Sequence, residues 1–470
     1  MRILFISLVS CLVSIHAQNL IGTGMVKKLY EEHCLNCHGE NLEGGIGGSL
    51  LRESLMEDIG TKEDFIQYLK LGNLDMGMPA FGDTLSDSQI RTLQIFIEEM
   101  RQKNRFEGND LVGSVQKKKF KAGGYLFRLE TIIEDLDTPW SISFICAGKA
   151  LVTERSGSLR IWENGVLSKA VSGTPESIKR GQGGLLEVSI HPEYNINKWV
   201  YLAYTDSLNA DQKKPATMTK VVRGRIIGGQ WCDQEDIFDT SEEYHNVSGV
   251  HYGTRFVFKD GFLYFGIGDR GNQDQAQDLT RPNGKIHRIH DDGRIPVDNP
   301  FSHIENTYPS IWTYGNRNPQ GLDMHPLTGE IFESEHGPRG GDEINLIERG
   351  LNYGWPIITY GMNYDGSPIT AETAADNMEQ PLHFWTPSIA VCGIDFYEGD
   401  VFPLWKYDLF AGGLASQELH RLVIKDSRVV STEVILKNYG RVRDVATGPD
   451  GMLYLVLNDP DVVVRLVPVE

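Results

Sequence analysis

The sequence of 470 residues predicts a small all-α domain followed by an all-β domain, a six-bladed β-propeller. Three observations support this prediction. Segments with helical periodicity lie before Lys103, the motif CLNCH occupies residues 34–38 of the same region, and a short apolar strand beside a turn recurs six times after residue 124. We expect the helical domain to span residues 18–103, a charged, glycine-containing linker 104–124, and the propeller 125–470.

The N-terminal residues have the features of a secretory signal peptide. Arg2 precedes the apolar run ILFISLVSCLVSI, and Ala17 is a small residue at which cleavage can occur. The run is too short to span a bilayer, and no later segment is long and apolar enough to do so. We therefore expect residues 1–17 to be removed and the mature protein to be periplasmic or secreted. Lipoprotein processing at Cys11 is the alternative, although the apolar run before Cys11 is short.

The motif CLNCH is the attachment signature of a c-type haem. Cys34 and Cys37 are expected to form the two thioether bonds, and His38 to be the proximal iron ligand. The alternatives are a redox CxxC or half of a zinc site. No second CxxC completes a zinc site, and no thioredoxin-like strand precedes the motif. The helical domain is therefore predicted to carry haem c and to transfer electrons.

A second iron ligand is expected in the segment LDMGMPAF, which is followed by the helical pattern LSDSQIRTLQIFIEEM. This stretch resembles class I cytochromes c, in which such a loop supplies a methionine and the closing helix packs on the haem. The resemblance makes Met78 the sixth iron ligand, with Met76 as the alternative. A methionine ligand raises the haem potential, which suits an electron acceptor.

Charge and cysteine content limit the partners of the chain. The formal charge of −19, from 45 basic and 64 acidic residues, argues against binding to nucleic acid or to an anionic membrane surface. Of the six cysteines, Cys146, Cys232 and Cys392 remain once the signal and the haem motif are set aside. Three is an odd number, so no disulfide framework is implied.

The repeat after residue 124 predicts six blades. The repeated strands start near Ala150, Trp199, Phe262, Glu330, Asp408 and Met452. Their spacing ranges from 44 residues (408 to 452) to 78 residues (330 to 408), which indicates long loops in some blades. A β-sandwich or barrel would not explain six related hairpins, whereas a propeller does.

Polar motifs follow or precede these strands, and propeller geometry brings them to one mouth of the central channel. The candidate residues there are Gln182, His251, Asp269, Arg270, Arg317, Asn318, Gly337, Pro338, Asp342, Glu343, Arg441 and Arg443. Four arginines and several amides predict a planar anionic ligand, because the guanidinium fork binds carboxylates at two points. A lone histidine among them is a candidate base, and the carbonyls of the GP turn with the nearby acidic pair suit calcium.

The segments GQGGLLxxxxHPxY, YGNRNPQGLxxHPxTGxIFxSEHGPRGGDEIN, NYGWP and RVRDVxxGPDGxLY resemble the soluble aldose sugar dehydrogenase family, which includes the soluble quinoprotein glucose dehydrogenases. The resemblance extends from Tyr125 to Glu470. It implies a six-bladed propeller that binds pyrroloquinoline quinone (PQQ) and calcium and oxidises an aldose at C1 to the lactone. The preceding domain resembles the cytochrome modules that accept electrons from such sites.

The resemblance also implies residue roles. His251 would remove the proton of the C1 hydroxyl as hydride passes to the quinone, and Arg317 would stabilise the charge that develops there. The implied PQQ contacts are Gln182, Arg317, Asn318, Arg441 and Arg443. Gly337 and Pro338 would bind calcium through their carbonyls, and Glu343 and Tyr353, with Asp342 adjacent, would form a second, structural calcium site. Electrons would leave through the haem to a soluble cytochrome or a respiratory chain component.

The sequence departs from the glucose-oxidising branch at several positions. Ala415 stands where that branch has a lysine on a PQQ carboxylate, and Arg270, which replaces a glutamine, is the candidate to restore the charge. Val391 and Cys392 replace a proline and a serine. Two other functions stay open: a calcium-dependent, lactonase-like hydrolase, and a non-catalytic binding propeller fused to an electron-transfer cytochrome.

Overall fold

The computed structural model describes residues 24–52, 55, 59, 61–73, 77–107 and 119–469. The chain divides into two compact units. One takes the chain up to Gly108 together with Met362–Ala371, and the other takes Asn109–Gly361 and Glu372–Glu470. The signal peptide expected at residues 1–17, its alternative at Cys11, and Met76 lie outside the described residues.

The first unit is helical. Its described helices are α1 (Met25–His33), α2 (Leu35–His38), α3 (Lys62–Leu71) and α4 (Asp87–Glu107). Thr61 caps α3 in a reciprocal capping box with Asp64, which satisfies two backbone donors that the helix leaves free. Helix α4 buries Ile90, Leu93 and Ile97 along one face because these residues recur at helical spacing.

The second unit contains 25 described strands in six antiparallel sheets, with a short helix α5 (Tyr194–Asn197). Blade 1 contains β3 (Pro139–Cys146), β4 (Lys149–Glu154), β5 (Leu159–Glu163) and β6 (Val166–Leu167). Blade 2 contains β7 (Leu185–Ile190), β8 (Val200–Leu208), β9 (Ala216–Ile227) and β10 (Gln230–Phe238). Blade 3 contains β11 (Phe256–Lys259), β12 (Phe262–Ile267), β13 (Lys285–His290) and β14 (Ile311–Tyr314). Blade 4 contains β15 (Pro319–Met324), β16 (Ile331–Glu335), β17 (Asp342–Ile347) and β18 (His383–Trp385).

Blade 5 contains β19 (Val391–Phe396), β20 (Leu409–Gly413), β21 (Glu418–Lys425) and β22 (Arg428–Lys437). Blade 6 joins the two ends of the propeller, because β1 (Lys119–Ala122) and β2 (Tyr125–Ile133) pair with the last strands in the order β1-β2-β25-β24-β23. These last strands are β23 (Arg441–Thr447), β24 (Leu453–Asn458) and β25 (Val462–Pro468). The six-bladed propeller predicted from the sequence is confirmed.

The six repeats found in the sequence are the second strands of the six blades, namely β4, β8, β12, β16, β20 and β24. Most of them are largely apolar because both faces of each sheet are covered, whereas β16 carries Glu333 and Glu335. β24, for example, is buried at every residue. A hydrophobic cluster lies between each pair of neighbouring blades, as where Leu151 and Leu159 of blade 1 pack with Leu185 and Leu202 of blade 2. Each fully buried side chain of this kind contributes about 1.5–3 kcal/mol.

The segment predicted as the linker overlaps described elements at both ends. Helix α4 continues to Glu107, and strand β1 starts at Lys119. Phe120 of β1 stacks on Phe127 with ring centroids 5.5 Å apart, so this end of the segment belongs to the packed edge of blade 6. The domain boundaries otherwise stay a prediction. Within the described residues, no helix is long and apolar enough to cross a membrane.

Candidate active site and haem-attachment site

The haem-attachment motif lies on α2 and at the turn before it. Cys34 is buried in the helical core, and Met78 packs against the same cluster. The His38 Nδ1 atom lies 2.8 Å from the Gly48 carbonyl oxygen, so that carbonyl orients the ring and leaves Nε2 for a metal. The Cys34 and Cys37 thiols are free, as are the other described cysteines, Cys146, Cys232 and Cys392. These residues fit a covalently attached haem.

The mouth of the propeller is built from the starts of the first strands and the ends of the second strands. The first strands of neighbouring blades contact one another, as β15 does with β19 and β19 with β23, so they surround the axis. The first strand of blade 2 is shortly preceded by Gln182, that of blade 3 by His251 and that of blade 4 by Asn318. The first strand of blade 6 begins at Arg441. Asp269 and Gly337 follow the second strands of blades 3 and 4.

His251 is paired with Asp269 at this mouth. Its Nδ1 lies 2.5 Å from Asp269 Oδ1, and the other carboxylate oxygen accepts a hydrogen bond from Trp355 Nε1 at 2.9 Å. The His251 backbone N–H donates to Gln182 Oε1 at 2.8 Å, and its φ of 54° lies in the left-handed region. The carboxylate therefore fixes the ring and its tautomer and leaves Nε2 as the basic atom.

The electrostatic surroundings favour the neutral form of His251. Burial and the nearby Arg317 guanidinium lower the pKa of His251, and the hydrogen bond with Asp269 partly opposes them. Burial disfavours ionisation of Asp269, but the contact with His251 holds the pKa of that carboxyl below its ordinary value. A neutral imidazole beside an ionised carboxylate is the state that a general base requires.

Arg317 and Asn318 present buried donors at the same mouth. Arg317 Nη1 donates to the carbonyls of His336 at 2.9 Å and Gly337 at 2.7 Å. The side-chain oxygen of Asn318, Oδ1, accepts from the Gly253 N–H at 3.1 Å. Arg317 Nε and Asn318 Nδ2 are buried and have no partner among the described residues. Orphaned donors of this kind fit a bound ligand rich in acceptor atoms, as PQQ is.

Arg443 lies near the start of β3, on the opposite side of the mouth. Its Nε donates to Asn458 Oδ1 at 3.2 Å, its Nη1 contacts Cys392 Sγ at 3.5 Å, and its guanidinium lies 4.4 Å from the centroid of the Trp140 ring. Burial lowers the pKa of Arg443, and the like charge of Arg441 lowers it further. These two arginines therefore form a positive edge.

The Arg270 side chain makes its hydrogen bonds to other groups of the protein. It is 1 % exposed, lies 3.5 Å from the centroid of the Tyr252 ring, and donates to Thr217 Oγ1 and to the Ser248 carbonyl, each at 2.9 Å. It also donates to the Val250 carbonyl. Arg270 thus holds the segment that leads into His251, and its guanidinium is bound to protein carbonyl and hydroxyl groups.

The GP turn expected to bind calcium is shaped by Asp342. The Asp342 carboxylate accepts from the Gly337 N–H at 2.9 Å, from Ser388 Oγ at 2.9 Å and from the Val391 N–H at 3.0 Å. Its oxygens are therefore taken up in holding the turn, although burial raises the pKa of Asp342 to about 6. The Tyr353 hydroxyl accepts from the Glu348 N–H at 3.0 Å and donates to the Leu346 carbonyl, so a cation at Tyr353 would take its backbone carbonyl.

Glu343 belongs to a cluster of buried carboxylates. The register of β16 and β17 pairs Glu333 with Asn345 and Glu335 with Glu343. Asn345 Nδ2 donates to all three carboxylates at 3.1–3.5 Å. Burial and mutual repulsion raise the pKa of Glu333 and Glu343, and burial raises that of Glu335 to about 7. Glu333 Oε1 and Asn345 Oδ1 are buried without a partner among the described residues, which fits a hard cation.

Calcium sites built partly from carbonyls do not need three acidic or histidine side chains. Within the described ranges, no group of three or more His, Cys, Asp or Glu side chains is arranged to hold a metal ion. A cavity joins the two regions, because its lining includes Arg317 and Gly337 from the mouth together with Glu335, Glu343 and Tyr353. Arg317 and Gly337 therefore adjoin the same space as Glu343 and Tyr353.

Sequence reasoning missed several residues of the site. Asp269 is among the residues predicted at the mouth, but its contact with His251 does not follow from the sequence. No motif of the sequence assigns a role to Trp355, Glu333 or Glu335, or to Arg155, which follows β4. The alternation of Glu333 and Glu335 on one strand was the available signal, because residues two apart share a face of a sheet.

Comparisons with known proteins agree with this geometry. Residues 136–465 match the family described as glucose/sorbosone dehydrogenase, and residues 25–97 match one described as cytochrome c oxidase, cbb3-type, subunit III. Aldose sugar dehydrogenase YliI of Escherichia coli is 38% identical over 342 residues, which cover 70% of this chain and 90% of that protein.

Two solved structures of aldose sugar dehydrogenases are also similar. The apo form from Escherichia coli has a TM-score of 0.68 at 34% identity and covers 73% of this chain and 100% of that one. The PQQ-bound form from Streptomyces coelicolor has a TM-score of 0.58 at 25% identity and covers 73% and 98%. The chain therefore belongs to the family of soluble PQQ-dependent glucose and aldose dehydrogenases, with a cytochrome c domain preceding its six-bladed propeller.

Proposed function

We propose that this protein oxidises an aldose at C1 to the lactone with PQQ and calcium, and passes the electrons to a haem c on the same chain. The observation that carries the proposal is the His251–Asp269 pair beside Arg317, at a mouth where Arg317 and Asn318 retain unpartnered buried donors. The protein supplies orientation and charge, and the cofactor supplies the redox chemistry.

When bound, PQQ would accept the hydride from the sugar C1–H. His251 Nε2 takes the proton of the C1 hydroxyl, and Asp269 stabilises the imidazolium that forms. Loss of one hydride and one proton converts the hemiacetal to the lactone. Arg317 holds positive charge at the mouth, where negative charge develops on the acceptor. Gln182 fixes the His251 backbone, which keeps the base in place.

Calcium would have two sites. The carbonyls of Gly337 and Pro338 would face one ion at the mouth. Glu343 and the Tyr353 carbonyl would hold a second ion, with Glu333 and Glu335 supplying further negative charge. The three carboxylates share the Asn345 amide donor, and Glu335 also accepts from the backbone N–H groups of Arg317 and Asn318. Their mutual repulsion favours a divalent cation, as does Glu333 Oε1, which has no partner among the described residues.

The haem would be held by thioether bonds from Cys34 and Cys37, with His38 and Met78 as iron ligands. A single haem would carry one electron at a time, so each sugar oxidised would require two transfers to an external acceptor. A soluble cytochrome or a respiratory chain component is the proposed acceptor. Because thioether attachment takes place outside the cytoplasm, we also propose export by cleavage near Ala17.

Reconstitution of the purified haem protein with PQQ and calcium, followed by a panel of aldoses, tests this function. The haem absorbance should show reduction that depends on sugar, PQQ and calcium together, and lactone should accumulate. Hydrolysis of lactones without PQQ would instead favour the lactonase-like alternative. If PQQ and calcium fail to raise the melting temperature of the apo protein, the binding site is not intact and the proposal is wrong.

A further inference from the structure

Arg155 occupies a position at the mouth equivalent to that of residues already given roles. It follows β4, the second strand of blade 1, as Asp269 follows that of blade 3, Gly337 that of blade 4 and Ala415 that of blade 5. Equivalent strand ends of a propeller face the same opening. Blade 6, which carries Arg441 and Arg443, lies between blades 1 and 5, so Arg155 and Ala415 flank this arginine pair on its two sides.

The contacts of Arg155 join two parts of the site. Its backbone N–H donates to the Thr138 carbonyl at 3.0 Å, just before β3, where Arg443 lies over Trp140. Its Nη2 donates to the Gly181 carbonyl and lies 3.4 Å from that of Gly183, on either side of Gln182. The guanidinium is thus held at the Gln182 turn, and the backbone of Arg155 is held beside the start of β3.

Arg155 also retains unused binding capacity. Its Nε is buried and has no partner among the described residues. Burial, followed by the like charges of Arg443 and Arg441, lowers the pKa of Arg155 to about 10. Three guanidinium groups that repel one another bind an anion more favourably than one alone would. Arg270, the residue expected to replace the missing lysine, is committed to Thr217, Ser248 and Val250.

We propose that Arg155 binds a carboxylate of the cofactor and supplies the cation that this chain lacks at Ala415. The inference rests on the proposed function, since the carboxylate belongs to PQQ. The rigid two-point fork of arginine suits a carboxylate, and a lysine at this position would keep the charge but lose one of the two hydrogen bonds.

The test measures equilibrium binding of PQQ to the calcium-loaded apo form of the full chain by quenching of tryptophan fluorescence. Arg155→Gln should weaken binding by roughly 10- to 100-fold, as expected for loss of a charged hydrogen-bonding partner. The PQQ affinity of Arg155→Lys should lie between those of the unsubstituted protein and Arg155→Gln. Arg428→Gln is the matched control, because it removes the same charge from an exposed residue of β22.

A PQQ trimethyl ester separates a carboxylate contact from an indirect effect through Gln182. The unsubstituted protein should prefer PQQ to the ester, and Arg155→Gln should lose most of that preference. Equal weakening of both ligands would show that Arg155 only positions the turn and would overturn the proposal, as would PQQ binding unchanged by Arg155→Gln. Melting temperatures without PQQ identify a variant that fails to fold. If Arg155→Gln fails to fold, the affinities of Arg155→Lys for PQQ and for the ester are compared with those of the unsubstituted protein instead. Absence of PQQ binding to the unsubstituted protein would refute the proposed function itself.

Discussion

At the scale of single residues, the site depends on contacts between side chains that lie apart in the sequence. The base His251 precedes β11, and the Asp269 that orients it follows β12, so a turn of the same blade brings the two together. Trp355, which donates to the other oxygen of Asp269, comes from a distant loop. The function of each side chain is therefore set by a neighbour that lies elsewhere in the sequence.

His251→Ala should leave PQQ binding nearly intact and remove most turnover, because a base acts chiefly in the transition state. The expected loss is roughly a hundred- to ten-thousand-fold. Fluorescence titration with PQQ and dye-coupled sugar oxidation measure the two properties separately. Turnover within about threefold of the unsubstituted enzyme would mean that another residue removes the proton.

The pH dependence of sugar oxidation should reflect the lowered pKa of His251. Because the neutral base persists below the ordinary pKa of histidine, near 6.5, the acid limb of kcat/KM should lie below that pH. Asp269→Asn removes a group that raises the pKa of His251, so it should move this limb to still lower pH while reducing the plateau rate.

Asp291→Asn is the matched control for this pH profile. Asp291 pairs with another histidine, as His191 Nε2 lies 3.1 Å from its Oδ2. That pair is not part of the mouth, and its loss should leave the acid limb unmoved. A limb that moves to higher pH in Asp269→Asn would contradict the electrostatic account of the base.

At the scale of elements, strands β16 and β17 bring together carboxylates whose mutual repulsion a bound cation would relieve. Glu343→Gln should reduce the rise in melting temperature that calcium produces, because it impairs one of the two proposed calcium sites, and it should raise the melting temperature of the calcium-free protein because one repelling charge is gone. Bound calcium at a hundred times its Kd would stabilise the native state by about 2.7 kcal/mol. Glu305→Gln, an exposed control, should retain the full calcium response; the same loss there would point to a general charge effect.

Helix α2 carries the other element-scale prediction. Cys37→Ala should sharply reduce the haem-stained band of the denatured protein, because one of the two thioether bonds is lost. Met78→Ala should keep the stain and change the absorbance spectrum of the haem. Loss of all stain from the unsubstituted protein on denaturation would exclude covalent attachment.

The strands and helices can be predicted from the sequence more fully than the contacts of the site. Most second strands of the blades could be recognised because they are largely apolar and bounded by turns, and α4 because Ile90, Leu93 and Ile97 recur at helical spacing. The contacts of Arg155 and the commitment of Arg270 could not be recognised. They depend on which carbonyls the loops of blades 1 to 3 present, and no local pattern encodes that arrangement.

At the scale of the whole molecule, the two units are proposed to carry successive steps of one electron path. A truncated chain that begins at Lys119, and so retains β1, should reduce a small dye as fast as the full chain when given PQQ, calcium and sugar. Only the full chain should reduce a soluble cytochrome efficiently, with its own haem reduced in a single turnover. Equal rates of cytochrome reduction by both chains would show that the haem is not the exit.

The pairing of β2 with β25 has a consequence for the order of events during synthesis. Arg465 of β25 and Glu130 of β2, which form an ion pair, are separated by 335 residues. Until β25 has paired with β2, the propeller is an open arc with two unpaired strand edges, a form prone to association with other chains. The helical unit takes Met362–Ala371 from the chain before β18 but takes no residue of β23, β24 or β25, so its core can form before the ring closes.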